Sequence, residues 1–103
     1  MNVSKVMVIG AGQMGSGIAQ VCAQAGYEVV LNDLKPEFVE RGLGIIQKSL
    51  TRNVDKGRIT EEQKQDINAR LTSSTDLNDA SSVDLVIEAA VENMEIKTNI
   101  FSQ

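Results

Sequence analysis

The chain has 103 residues, of which 42% are apolar and 23% are charged, and its formal net charge is −4. These values are typical of one modest globular domain with a single core. The negative net charge and the aromatic content of 3% do not favour a nucleic-acid-binding surface. No apolar stretch approaches the ~20 residues of a membrane-spanning helix. We therefore expect neither nucleic acid nor a membrane among the partners.

The N-terminus and the cysteine content bear on the cellular compartment. An apolar strand pattern starts near Lys5, without the basic and apolar segments of a secretory leader. Cys22 is the single cysteine and cannot form an internal disulfide, which fits a reducing compartment. We expect a cytoplasmic protein.

The first part of the chain predicts a strand, a helix and a second strand. Val6–Ile9 is a short, continuously apolar run, as expected for a strand that is buried on both faces. Gln13–Ala25 carries apolar residues at spacings of three and four, and Gly26 follows as a helix-terminating glycine. Glu28–Asn32 contains adjacent β-branched residues and predicts the second strand. Such a βαβ unit has parallel strands.

The next segment, Pro36–Leu71, is longer than a connection in such a sheet requires. Pro36 suits the first turn of a helix, and apolar residues recur on one helical face after it. Gly57 is expected to end this helix. The sequence TEEQ, which begins at Thr60, matches a capping box and predicts a second, more polar helix. We interpret the segment as an antiparallel helical pair inserted after the second strand.

The rest of the chain predicts two more strands and a final helix. A short strand is expected near Thr72–Ser74, then a polar turn at Asp76–Ser82 and a buried strand at Leu85–Ala89. Asn93 is expected to cap a last helix that contains Met94, Ile96, Lys97, Ile100 and Phe101. No stop signal follows that helix, and a doubly wound dinucleotide domain usually has six strands. We therefore expect residues 1–103 to be the N-terminal part of such a domain.

Gly10, Gly12 and Gly15 form a GxGxxG sequence between the first strand and the first helix. In that context the first glycine permits a tight turn, and the second lets the backbone approach a pyrophosphate. The third allows the helix to pack closely on the strand. The helix N-terminus adds free N–H groups and a partial positive charge. The motif predicts a dinucleotide-binding loop.

Asp33 ends the second predicted strand and lies about 20 residues beyond the glycines, as the motif anticipates. Its carboxylate can accept hydrogen bonds from the adenosine ribose and would repel the extra phosphate of NADP, which favours NAD. Lys35 is close enough to weaken that preference. Flavin proteins, nucleotide-sensing domains and methyltransferases also use glycine-rich turns. The third glycine and the small residues of GSGIAQ, which begins at Gly15, favour a nicotinamide dinucleotide over these.

The segments VIGAGQMGSGIAQ and LVIEAAVENMEIK, with the helical pair between them, resemble the 3-hydroxyacyl-CoA dehydrogenase family along essentially the whole chain. The resemblance is strongest to the bacterial branch that acts on 3-hydroxybutyryl-CoA. It implies an α/β fold with a Rossmann-type, doubly wound parallel sheet and NAD as the cofactor. It also implies interconversion of 3-hydroxyacyl-CoA and 3-oxoacyl-CoA, with 3-hydroxybutyryl-CoA and acetoacetyl-CoA as the expected pair.

The same resemblance implies roles for particular residues. Those expected along the NAD cofactor are Gly10, Ala11, Gly12, Gln13, Met14, Gly15, Asp33, Ala90, Val91, Glu92 and Lys97. Ser49 and Lys56, on the first inserted helix, are expected to bind the acyl-CoA substrate, and a lysine suits the phosphates of coenzyme A. The two could also be a solvated serine and a cation that is favourable near a helix C-terminus.

The chain contains no histidine, whereas the family's enzymes use a histidine, oriented by a glutamate, as general acid or base. The resemblance places that histidine, the serine and asparagine beside it, and a helical, dimerising second domain beyond Gln103. We expect a homodimeric enzyme at full length and no turnover by residues 1–103 alone. Two alternatives stay open: a dehydrogenase of small free hydroxyacids and a non-catalytic NAD-sensing module.

Overall fold

The computed structural model describes residues 3–89 and 94–98. Strand β1 (Lys5–Ile9) leads through the glycine loop into helix α1 (Gln13–Gln24), and strand β2 (Glu28–Asn32) follows. The two strands pair in parallel over their full length. The predicted βαβ unit is therefore confirmed.

The inserted segment forms helix α2 (Pro36–Asp55) and helix α3 (Glu61–Ala69). Gly57, with φ of 72°, follows the end of α2 in the left-handed conformation that glycine tolerates best. The predicted capping box begins α3: Thr60 Oγ1 accepts from the Gln63 N–H, and Gln63 Oε1 accepts from the Thr60 N–H. No helix in the described part of the chain is both long and apolar enough to span a membrane.

Strand β3 (Leu71–Ser74) and strand β4 (Leu85–Ala89) extend the sheet on opposite sides. The strands run in parallel in the order β3-β2-β1-β4, the order of the first four strands in a Rossmann sheet. A 3₁₀ helix, Leu77–Ser82, occupies the segment predicted as a polar turn. The predicted α/β class is confirmed.

A fifth strand, β5 (Met94–Thr98), pairs antiparallel with β4. The helix predicted from Asn93 is therefore wrong over these residues, and so is the expectation of four strands. The sequence MEIKT alternates apolar and polar residues with period two, which is typical of a strand. Pairing also satisfies backbone groups of β4 that an open edge would leave unpaired. Asn93 itself, with Ile100 and Phe101, lies outside the described residues.

The core lies on both faces of the sheet, as the apolar sequence of β1 predicts. Met7 is buried on one face with Val30 and Val83. The other face packs against the helices and forms the larger cluster, which comprises Val6, Val8, Ala11, Ala19, Ala23, Val29, Leu31, Val39, Ile46, Leu50, Ile67 and Ile87. Helices α1 and α2 are therefore fixed against the sheet next to the glycine loop.

Candidate dinucleotide-binding site

A crevice opens at the carboxyl end of β1, where the strand order reverses between β1 and β4. Ile9, the last residue of β1, lies opposite Asn32 of β2 on one side and Glu88 of β4 on the other. In an open parallel sheet, ligands bind in the crevice at this switch point. The groove there has a volume of about 220 Å³ and is lined by Ile9, Gly10, Asn32, Asp33, Leu34, Leu77, Glu88 and Ala89.

Gly10 and Gly15 shape the loop at the entrance to this crevice. Gly10 has φ of 104°, and its N–H donates to the Asn32 carbonyl oxygen at 2.7 Å. A Cβ atom on Gly10 would lie 2.5 Å from the Ala89 carbonyl oxygen, and one on Gly15 would lie 1.6 Å from the Gly10 carbonyl oxygen. Both positions therefore require glycine, the first for the turn and the second for close packing of α1.

Gly12 has a different environment, because a Cβ atom there would have no neighbour within 4 Å. It is the N-cap of α1, and no side chain caps the helix. The first N–H groups of a helix have no partner within the helix, so those of the first turn face outward beside Gly12. Exposed backbone N–H groups and unfilled space next to a glycine suit a pyrophosphate. The geometry fits a dinucleotide.

Asp33 follows β2 directly and is half-buried next to the glycine loop. Its Oδ2 atom accepts from the Ala11 N–H at 2.8 Å, and its Oδ1 atom accepts from the Leu34 N–H at 2.7 Å. Two backbone hydrogen bonds therefore fix the orientation of the carboxylate. Because an ionised carboxylate has about four acceptor sites, Asp33 can also accept from a ligand hydroxyl.

Two exposed leucines adjoin Asp33 in the groove. Leu34 is 82% exposed and Leu77, from the 3₁₀ helix, is 58% exposed. Exposed leucines in the same groove as a fixed carboxylate offer an apolar surface near a polar group. Such a surface suits a flat base attached to a ribose.

The other predicted cofactor residues divide into three groups. Gln13 and Met14 are exposed at the start of α1, beside the glycine loop. Lys97 lies in β5 opposite Val86 of β4. Val86 is three positions, or ~10 Å, from the end of β4. The Lys97 side chain lies outside the described part of the structure. Ala90, Val91 and Glu92 lie outside the described residues.

The predicted substrate residues lie on α2, away from the glycine loop along the chain. Ser49 is half-buried, and its hydroxyl oxygen accepts from Gln20 Nε2 of α1 at 3.0 Å. Lys56 is exposed and is the C-cap of α2. The two are seven positions apart, which is about two helical turns or ~10 Å. At that spacing the two positions lie on the same face of α2.

Sequence reasoning missed Gly42 as part of this site. A Cβ atom on Gly42 would lie 2.7 Å from the Ala11 carbonyl oxygen and 2.8 Å from Ser16 Oγ. The Ser16 hydroxyl donates to the same Ala11 carbonyl at 3.2 Å. Helix α2 therefore rests directly on the glycine loop. The available signal was a glycine in the middle of a helix, which costs about 1 kcal/mol unless close packing requires it.

Cys22 lies on α1, half-buried against the core. Burial raises the pKa of its thiol, so the group stays protonated near neutral pH. Within residues 3–89 and 94–98, no group of three or more His, Cys, Asp and Glu side chains could hold a metal ion.

Comparison with known sequences identifies the same domain. The profile of the family described as "3-hydroxyacyl-CoA dehydrogenase, NAD binding domain" matches residues 5–103. The "Probable 3-hydroxybutyryl-CoA dehydrogenase" of Deinococcus radiodurans is 50% identical over 99 residues, which are 96% of this chain and 35% of that protein. The 3-hydroxybutyryl-CoA dehydrogenase of Bradyrhizobium diazoefficiens is 46% identical over 101 residues, 98% of this chain and 34% of that protein. The chain therefore spans about a third of the length of these relatives.

A solved structure agrees with the sequence comparison. The (S)-3-hydroxybutyryl-CoA dehydrogenase of Ralstonia eutropha superimposes with a TM-score of 0.85 at 41% identity, over 89% of this chain and 32% of that one. The resemblance to a Rossmann-type dehydrogenase is thereby confirmed, and NAD is the cofactor of the domain. With its glycine loop, its strand order and its match along residues 5–103, the chain belongs to the 3-hydroxyacyl-CoA dehydrogenase NAD-binding domain family.

Proposed function

We propose that the glycine loop and Asp33 hold NAD in the crevice at the switch point. The observation that carries this proposal is the position of the Asp33 carboxylate, which the Ala11 N–H fixes at 2.8 Å beside the loop. From there the carboxylate accepts hydrogen bonds from the adenosine ribose hydroxyls. The N–H groups at the start of α1 bind the pyrophosphate across the open space at Gly12. Gln13 and Met14 border the same path.

Asp33 also makes the site selective for NAD over NADP. A 2′-phosphate would place negative charge next to the carboxylate, with no compensating hydrogen bond. Lys35 could offset this repulsion, but its ammonium group lies over the Phe38 ring, 5.9 Å from the centroid. This cation–π contact holds the lysine toward α2.

The full-length protein is, in this proposal, an NAD-dependent oxidoreductase that interconverts 3-hydroxyacyl-CoA and 3-oxoacyl-CoA. The names of the relatives support 3-hydroxybutyryl-CoA and acetoacetyl-CoA as the pair. Bound NAD supplies the hydride acceptor of such a reaction. Ala90, Val91 and Glu92 would continue the cofactor site beyond β4, with Lys97 nearby.

Ser49 and Lys56 of α2 would hold the acyl-CoA. The Ser49 hydroxyl can donate to an oxygen of the substrate, and Lys56 is an exposed cation in a chain whose net charge is −4. A lysine attracts the phosphates of coenzyme A as a point charge. Helix α2 would thereby place the substrate beside the cofactor site of the same domain.

Proton transfer at the substrate oxygen would come from outside residues 1–103, which contain no histidine. These residues would therefore bind ligands without turnover. The full-length enzyme would be a cytoplasmic homodimer. The chain would act as the cofactor-binding part of that enzyme and would not interact with nucleic acid.

Calorimetric titration with NADH and with NADPH tests the cofactor site. We expect the wild-type chain to bind NADH at least ~10-fold more tightly than NADPH, and Asp33→Asn to weaken NADH binding about 10-fold. Asp66→Asn, which removes an exposed carboxylate on α3, is the matched control and should leave both affinities unchanged. A folded chain that binds neither nucleotide, or an Asp33→Asn variant with the wild-type preference, would refute the proposal.

A titration with acetoacetyl-CoA and with free acetoacetate tests the substrate class. The proposal requires binding of the coenzyme A ester and much weaker binding of the free acid. Equal affinity for both compounds would favour a dehydrogenase of free hydroxyacids. Binding of NADH with neither compound would favour an NAD-sensing module.

A further inference from the structure

Two polar residues of α1, Ser16 and Gln20, are buried one helical turn apart where α1 meets α2. Ser16 is fully buried beside Gly42, and Gln20 is 9% exposed. Gln20 Nε2 donates to the Ser49 hydroxyl oxygen at 3.0 Å. Because residues three or four apart share a helix face, these contacts lie along one line of the interface.

The hydrogen bond from Gln20 restricts what the Ser49 hydroxyl can do. A serine hydroxyl has one proton and two acceptor positions. Since the Gln20 amide occupies an acceptor position, the proton points elsewhere. In the part of the chain that the structure describes, no other hydrogen bond of the Ser49 hydroxyl is formed, and the residue is half-buried. The hydroxyl proton therefore has no acceptor among the described residues and is left for a ligand.

We propose that Gln20 is a positioning residue for acyl-CoA binding, which fixes Ser49 as a hydrogen-bond donor to an acceptor oxygen of the substrate. The inference rests on the proposed role of Ser49 in holding acyl-CoA. The oxygens of a thioester, an amide and a phosphate are all acceptors, so a donor is the useful state of the hydroxyl.

The position of Gln20 also makes α1 common to both ligand sites. The first turn of α1 faces the dinucleotide, and Gln20 lies about two turns further along the same helix. One rigid helix then sets the distance between the pyrophosphate site and the substrate-binding hydroxyl. Alignment of two reactants in this way is a main source of rate enhancement.

Titration of the chain with acetoacetyl-CoA tests the proposal, using Gln20→Glu, Ser49→Ala and the Gln20→Glu/Ser49→Ala double variant. A glutamate of the same shape accepts from the Ser49 hydroxyl and so turns its proton away from the substrate. We expect each single variant to weaken acetoacetyl-CoA binding about 10-fold, the value of one hydrogen bond, while NADH affinity stays within about 2-fold. The double variant should bind no more weakly than Ser49→Ala alone.

Several results would overturn the inference. One is wild-type affinity in Gln20→Glu, and another is a further loss in the double variant, which would indicate charge repulsion acting without Ser49. A wild-type chain that binds NADH but does not bind acetoacetyl-CoA would also overturn it. Failure of the wild-type chain to bind NADH would instead contradict the proposed function. Gln20→Met, which removes the donor without adding charge, should weaken acetoacetyl-CoA binding less than Gln20→Glu.

Discussion

The carbonyl oxygen of Gly10 occupies the space next to Gly15, so that a Cβ atom on Gly15 would lie only 1.6 Å from it. The same loop is held from the other side by Asp33, through the Ala11 N–H. Strand β2, the loop and the first turn of α1 therefore form one rigid unit. This unit has little room for side chains at its contacts and open space at Gly12, where a ligand would lie.

We predict that Gly15→Ala is severely destabilising, whereas Gly17→Ala is not. The new methyl group at position 15 overlaps backbone that cannot move without breaking the loop, so the free energy of unfolding should fall by ~3 kcal/mol or more. A Cβ atom on Gly17 of the same helix would meet nothing within 4 Å. Gly17→Ala should therefore raise stability by about 0.5–1 kcal/mol. Urea denaturation of both variants measures the difference.

Gly12→Ala should separate ligand binding from folding. Since the position is open, the methyl group should cost less than ~1 kcal/mol of folding stability, mainly through a poorer N-cap. The same methyl group would occupy the space proposed for the pyrophosphate. NADH affinity should fall at least ~10-fold while the midpoint of denaturation changes little. Unchanged NADH affinity in the folded variant would contradict the placement of the pyrophosphate.

Gly42→Ala tests whether α2 supports the glycine loop. The added methyl group would lie 2.7 Å from the Ala11 carbonyl oxygen, so α2 must move away or the loop must shift. We expect a loss of ~1–3 kcal/mol in stability and a several-fold loss of NADH affinity. Gly44→Ala, on the same helix with no atom within 4 Å of the new Cβ, is the control and should be neutral or stabilising. Equal effects of the two substitutions would show that α2 does not constrain the loop.

The features that the sequence predicted well depend on local chemistry. Strand β2 and strand β4 lie at the predicted residues, Glu28–Asn32 and Leu85–Ala89, because short apolar runs between turns specify buried strands. The cap of α3 at Thr60 follows from two side chains three residues apart. The glycine motif similarly predicted the loop, since Gly10 and Gly15 occupy positions that a side chain would not fit.

The features that were missed depend on contacts between elements, which the pattern of no single element encodes. MEIKT is compatible with a helix or a strand, and its pairing with β4 decides between them. The packing role of Gly42 was missed because its neighbours, Ala11 and Ser16, are some thirty residues away in sequence. The bond from Gln20 to Ser49 likewise joins two helices, and no periodicity within either helix encodes it.

Asp84 provides a prediction for the dependence of stability on pH. Its Oδ2 atom accepts from the Ser4 and Lys5 N–H groups at 2.9 and 3.0 Å and from the Ser4 hydroxyl at 3.1 Å. These hydrogen bonds, the Ser4 backbone bond first, lower the pKa of Asp84 below its ordinary value. At a pH near the ordinary pKa of an aspartate, Asp84 is therefore protonated less often in the folded state than in the unfolded state. The carboxylate therefore stabilises the fold above its unfolded pKa of ~4, and this contribution disappears as the pH falls through the folded pKa.

Asp84→Asn should accordingly be less stable than the wild-type chain at pH 7, and the difference should narrow below about pH 4. Thermal or urea denaturation of both proteins between pH 7 and pH 2.5 measures it. Asp66→Asn controls for the loss of one negative charge, because Asp66 is exposed on α3 and makes no hydrogen bond through its side chain among the described residues. If the difference in stability between Asp84→Asn and wild type stayed constant from pH 7 to pH 2.5, the ionisation of Asp84 would not contribute to the stability of the fold. Asp84 joins the start of β4 to the start of β1 by accepting from the Lys5 N–H. Protonation of Asp84 at low pH should therefore also weaken the protection of the Lys5 amide from hydrogen exchange.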